Sequence, residues 1–118
     1  MANPEVTAMR LSLNRRQGSE TLVVLDVNNG TDEDKAEITG TDSDLNEYKW
    51  EGSRDSVGSG VFKMKCTQGI TTRRSRRGGL RRRGYGPDIV IEINVTVTNE
   101  NSMPPYTSIQ VVNVIAFG

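Results

Sequence analysis

Ile89, Ile91, Ile93, Val95 and Val97 recur at every second position of DIVIEINVTVT, with Val90, Glu92, Asn94 and Thr96 between them. Strict alternation puts one set on each side of a pleated strand and does not suit a helix, whose faces repeat every ~3.6 residues. The same period governs VFKMKCTQ, where Phe62, Met64 and Cys66 oppose Val61, Lys63, Lys65 and Thr67. It returns in Leu45–Glu51, where Tyr48 and Trp50 share a side with Asn46 and read as core or interface anchors, core being the default. VTAMRLSL keeps close to it through Val6, Met9, Leu11 and Leu13, with a break near Ala8. TLVVLDV is a short β-branched run ended by the turn signal Asn28-Asn29-Gly30. No segment carries a capped apolar stripe of helical period. The last segment, YTSIQVVNVIAFG, leaves strand and short helix both open, although its Ile, Val and Thr favour a strand. The chain therefore reads as all-β or β-dominated, an antiparallel sheet of about five to seven strands in a single domain over residues 1–118.

The remaining stretches read as connections. GTDEDKAEITGTDSD is polar and loop-like, with room for a short strand at Ala36–Thr39, and EGSRDSVGSG reads as a flexible link. Asn99–Pro105 reads as a turn, because Pro104-Pro105 cannot donate to a ladder. With 34% hydrophobic residues and a mean hydropathy of −0.53, the chain is poor in core material for its size. A one-sided sheet, or a core shared with a partner subunit, is the expectation.

The formal charge is zero, from 15 basic and 15 acidic residues, but the two signs are segregated. Asp26–Asp55 holds ten acidic against three basic residues, whereas Val61–Pro87 holds nine basic residues and no acid. Seven of these are arginines packed between Arg73 and Arg83: Arg73, Arg74, Arg76, Arg77, Arg81, Arg82 and Arg83. They mark a loop or hairpin at 71–87 that a small core cannot bury. Each guanidinium is permanently charged and carries a planar fork of donors that matches phosphate oxygens. Gly78, Gly79, Gly84 and Gly86 let the backbone approach a ligand, and Tyr85 is placed to stack on an unpaired base. Lys63 and Lys65 would widen the basic surface. The competing explanations are a charge-matched contact with another subunit's acidic block and a solvated loop that offsets the acidic block.

Other chemistries find little support. The chain has no His and one Cys, Cys66, which excludes Ser-His-Asp and Cys-His nucleophiles, His-ligated metals and an intramolecular disulfide. Its carboxylates sit in no apolar sequence setting, so no catalytic site, cofactor or metal is expected. DVNNGTDEDK resembles a calcium loop only loosely: Gly30 is fifth from Asp26, where that loop needs glycine sixth. The glycosylation sequons at Asn29 and Asn94 read as chance matches. Cys66 reads as a small buried hydrophobe, with an intersubunit disulfide or a reactive thiol as the alternative. No apolar run approaches the ~20 residues of a membrane span, so no membrane partner is expected. MANPEVTAMR lacks the apolar region of a secretory signal. With the free Cys, that favours a reducing compartment.

VVLDVNNGTDEDKAEITGTDSDLNEYKW, followed by VFKMKCT at 61–67, resembles the coat proteins of single-stranded RNA bacteriophages. The shared order is a strand ending in Asp, an Asn/Gly-rich turn, a Trp-terminated strand, a Ser-rich connection and an aromatic-Lys-x-x-Cys strand, here Phe62, Lys63 and Cys66. The similarity covers roughly residues 20–67. It implies an intertwined dimer with joined sheets, assembly into an icosahedral shell, and an inward sheet face that binds genomic RNA. In many members a specific hairpin bound there represses replicase translation. By position along the Cys strand, it implies that Lys65 and Thr67 lie on the RNA side. Family members end in two helices that clasp the partner, where this chain has only Tyr106–Gly118. Beyond the Cys strand, either a strand runs through Arg73 and Arg74 as a hairpin with Leu80–Arg83, or the family's next strand is absent.

The resulting expectation is a virion coat subunit, assembled in the host cytoplasm, whose partners are itself and RNA. The seven arginines would carry the binding, with Lys63, Lys65 and Thr67 lining the sheet and Tyr85 stacking. The alternatives are a small non-enzymatic RNA-binding accessory protein and a β-sandwich assembly or adhesion module in which acidic and basic blocks pair head to tail.

Overall fold

The structure is a computed structural model that describes residues 3–56, 60–70, 89–101 and 107–117, with residue 89 and the last stretch described by their backbone path. Eight strands follow in chain order: β1 (Glu5–Arg10), β2 (Leu13–Asn14), β3 (Glu20–Asn28), β4 (Lys35–Thr41), β5 (Glu47–Arg54), β6 (Val61–Gln68), β7 (Ile89–Thr98) and β8 (Thr107–Phe117). Seven of them are six or more residues long, and no helix occurs among the described residues, as the alternating pattern requires. They form one sheet in the order β1-β3-β6-β5-β4-β7-β8-β2. Every ladder is antiparallel except the short parallel contact of β2 with β8.

The sheet curls until its ends approach each other, β1 toward β8 and β2 toward β3, so that it is nearly a barrel. The chain after β2 completes this closure. Ile70 N–H donates to the Arg15 carbonyl at 2.7 Å, Gly18 N–H to the Cys66 carbonyl at 2.8 Å and Cys66 N–H to the Ser19 carbonyl at 2.9 Å. Curling gives the sheet an inner face that is dry and an outer face that is wet. Val23 and Leu25, Ile38, Tyr48 and Trp50, Phe62, Met64 and Cys66, and Ile91 through Val97 at alternate positions all fill the inside. Leu13 enters beside them, and the Trp50 indole N–H donates to the Asn14 carbonyl at 2.9 Å, which satisfies the one polar atom of a fully buried ring. The Tyr48 and Trp50 rings stack with centroids 6.0 Å apart. Each large apolar side chain buried here contributes roughly 1.5–3 kcal/mol. The sheet is one-sided, and its core closes within a single chain.

Several local expectations change. The acidic stretch, read as loop-like with room for a short strand at Ala36–Thr39, holds a longer and central strand, β4, flanked by β5 and β7. Its inward positions are Ala36, Ile38 and Gly40, too small in sum to stand out as an apolar period, and a Cβ on Gly40 would press on Ile91 and Ile93. β5 begins later than Leu45, which instead takes a left-handed turn conformation (φ 67°), and it runs on through Ser53 and Arg54, residues read as flexible link. The C-terminal segment is a strand rather than a short helix, paired along β7 from Thr107 to Ala116. The break near Ala8 is a β-bulge: Val6 pairs with Val27 and Ala8 with Asp26, leaving Thr7 without a rung. Asn29 supplies the left-handed residue (φ 62°) of the turn after β3, but β3 and β4 are not neighbours, so the chain crosses β6 and β5 there instead of forming a hairpin.

Candidate nucleic-acid interface

β6 presents its two faces as its sequence dictates. Phe62, Met64 and Cys66 are buried, and Lys63, Lys65 and Thr67 stand exposed on the outer face. The Thr67 hydroxyl donates to the Lys49 carbonyl at 3.4 Å on the neighbouring strand. The register aligns these residues with others in transverse rows. Lys65 pairs with Glu20 on β3 and Glu51 on β5; Glu51 pairs with Glu37 on β4, and Glu37 with Thr96 on β7. One rung along, Lys63 pairs with Leu22 and Ser53, Ser53 with Lys35, and Lys35 with Thr98.

Lys49 organises the charge of the first row. Its ammonium lies 3.1 Å from Glu37 and 3.2 Å from Glu51, and these two carboxylates raise its pKa by hydrogen bonding and by charge. Exposed pairs of this kind add little stability, because water and salt screen them. Their effect is on the local field, because one cation sits between two acids. Neither Lys63 nor Lys65 is in an ion pair among the described residues, and the same holds for Lys35. A groove of about 540 Å³ lies over this face, bordered by Lys35, Lys65, Ser53, Thr67, Thr96 and Thr98 together with Glu37 and Glu51.

Arg73, Arg74, Arg76, Arg77, Arg81, Arg82, Arg83 and Tyr85 lie outside the described residues, as do the interleaved glycines, the hairpin proposed for Arg73–Arg83 and Pro104-Pro105. The described chain reaches that segment at Ile70, just beyond β6, and resumes at Ile89 at the start of β7. Thus the strand that carries Lys63 and Lys65 leads directly into the arginines.

Two buried polar clusters close the ends of the sheet, and no local pattern of residues announces either. At one end Asp34, fully buried, meets the Arg54 guanidinium and also accepts from Thr31 N–H (2.9 Å) and the Asn99 amide (2.7 Å). Arg54 Nε–H donates to the Thr31 carbonyl at 2.9 Å, and its guanidinium lies 4.9 Å from the centre of the Phe62 ring. At the other end Asp42 accepts from the Tyr48 hydroxyl (2.8 Å), the backbone N–H groups of Asp44 and Asn46 (both 2.9 Å) and the Asn46 amide (3.1 Å). Burial pushes the Asp42 pKa up, but these donors together outweigh it and bring it down to about 2. Burial raises the pKa of Tyr48, opposed by a hydrogen bond from Arg15, itself buried, and reinforced by Asp42. The clusters are therefore satisfied internally. Asp34, the acid of the calcium-like stretch that is buried, is committed to Arg54.

The Cys66 thiol is buried, 3.4 Å from the Gln68 carbonyl, and burial raises its pKa. A second chain cannot reach it in the folded state, so the intersubunit disulfide does not fit this geometry. No helix of the described residues is long and apolar enough to cross a membrane. No family model, no curated protein and no solved structure matches the chain.

Proposed function

We propose that the protein is a virion coat subunit that self-assembles and holds RNA, chiefly through the arginines of residues 73–83. The observation that carries this reading is continuity of positive charge. Lys63 and Lys65 stand exposed and in no ion pair among the described residues, with Glu20 and Glu51 beside Lys65 in the ladder, on the strand that runs into seven arginines free of interspersed acid. Phosphates supply the complementary charge, and binding gains from release of the counterions condensed on the polynucleotide. The buried carboxylates Asp34 and Asp42 are hydrogen-bonded within the fold.

One observation favours a second reading. Trp50, Phe62 and Leu13 are fully buried within one chain, so these core residues are covered without a second copy. A monomeric RNA-binding accessory protein would look the same in this respect. The proposed binding role, common to both readings, is tested by replacing the seven arginines with Gln and measuring affinity for single-stranded RNA. Loss of binding at unchanged thermal stability supports it, and undiminished binding refutes it.

A further inference from the structure

We infer that Arg16, on the turn between β2 and β3, is a further phosphate-binding residue, mounted beside the root of the arginine segment. This rests on the proposed RNA-binding role and adds to it a guanidinium that lies off the outer sheet face and outside residues 71–87, where sequence reasoning did not look. Three observations converge on it. First, the turn is rigidly built. Ser19 N–H and the Ser19 hydroxyl both donate to the Arg16 carbonyl, at 3.1 and 2.6 Å, and Arg16 N–H donates to Asn14 Oδ1 at 2.9 Å. Gly18 supplies the positive φ (90°) that the third residue of such a turn requires. Second, the turn is fastened to the last described residues before the arginines. Ile70 N–H donates to the Arg15 carbonyl at 2.7 Å and Gln17 N–H to the Ile70 carbonyl at 2.8 Å, so Arg16 and Ile70 form a parallel bridge. Gly69 allows this approach, because a Cβ there would overlap the Arg15 carbonyl. Third, the turn sorts its two arginines. Arg15 is buried and hydrogen-bonds the Tyr48 hydroxyl, whereas Arg16 is exposed.

The bridge sets the Arg16 backbone about 5 Å from that of Ile70, three residues before Arg73. Neither Leu13–Ser19 nor Gln68–Pro87 contains an acid, and the nearest one along the chain, Glu20, pairs with Lys65 in the ladder. A polynucleotide gathered by the arginines that follow Ile70 therefore meets Arg16 as part of the same positive field. The planar fork of Arg16 can take two oxygens of one phosphate. Its turn is ordered by its own hydrogen bonds before RNA arrives, so little conformational freedom is lost there on binding. Arg16 reads no base, and its contact is indifferent to sequence.

The test is the salt dependence of oligouridine binding by the full chain. Each phosphate contact on a single strand contributes about 0.7 to the slope of log K against log salt. Arg16→Gln is expected to make the slope shallower by about 0.7 and to weaken binding at low salt. Arg16→Lys keeps the charge and is expected to keep the slope. Arg10→Gln is the control: Arg10 is exposed on β1 and pairs with Val24, whose partner Val61 lies at the opposite end of β6 from Gln68, and its loss is expected to leave the slope unchanged. A wild-type slope in Arg16→Gln, or an equal drop in Arg10→Gln, overturns the role of Arg16 while leaving the arginine-segment reading intact. A drop in Arg16→Lys equal to that in Arg16→Gln traces the effect to the turn rather than to its charge and overturns it as well. Absence of oligouridine binding by the wild-type protein removes both readings.

Discussion

The carboxylate of Asp34 and the guanidinium of Arg54 meet inside the end of the sheet, joining the crossover that precedes β4 to the last residue of β5. Neither charge stands alone: Thr31 and Asn99 also donate to Asp34, and Arg54 lies over Phe62. Removing one partner leaves a desolvated charge behind. Arg54→Met should lower the unfolding free energy by about 3–5 kcal/mol in urea denaturation. The Asp34→Asn/Arg54→Met double variant should recover part of that loss, because no orphaned carboxylate remains. Additive losses in the double variant would mean that the pair is not coupled.

Asp42 ties stability to acid pH. Its folded pKa of about 2 lies below the ordinary 3.8, so its contribution is complete above that ordinary value and fades as the pH falls toward 2. The amount at stake is about 2 kcal/mol. Tyr48→Phe removes one donor to the carboxylate, which should raise the acid-unfolding midpoint and cost about 1 kcal/mol at neutral pH. Unfolding followed by tryptophan fluorescence between pH 2 and pH 7 reads both effects, since Trp50 is the sole tryptophan. An unchanged acid midpoint in Tyr48→Phe would remove the tyrosine from this cluster.

Gly52 marks a close approach of β5 to β6. A Cβ there would overlap the Lys63 carbonyl and crowd the Met64 backbone, atoms that belong to the ladder and cannot swing aside. Gly52→Ala should cost about 1–3 kcal/mol as the strands separate. Thermal denaturation checks it, and an alanine variant of wild-type stability would show that the two strands are not held so closely.

The Cys66 thiol should react slowly with iodoacetamide in the native protein and rapidly in urea, since it is buried and burial holds its pKa above the usual thiol range. Fast native alkylation would place Cys66 at an accessible surface.

Alternation made β6 and β7 readable from sequence, because Phe62, Met64, Cys66 and Ile91 through Val97 are large enough to announce the inner face. The Lys63/Lys65/Thr67 side of the candidate site followed from the same period. β4 was legible only as a short strand at Ala36–Thr39, because a central strand can face its core with Ala36 and Gly40, and a residue without a side chain leaves no hydrophobic trace. The extension of β5 escaped for a related reason: Arg54 is drawn inward by Asp34, twenty residues away, and local patterning carries no record of a long-range pair. Lys35 joined the face of Lys63 only through the ladder register. The break at Ala8, by contrast, was visible because a bulge shifts the alternation itself.

Size-exclusion chromatography with absorbance at 260 and 280 nm is the most direct test of the coat-subunit proposal. An RNA-filled assembly elutes near the void volume with absorbance dominated by nucleic acid, and substituting Gln for the seven arginines empties or disperses it. A small species free of nucleic acid at low ionic strength, which takes up no added RNA, contradicts the proposal.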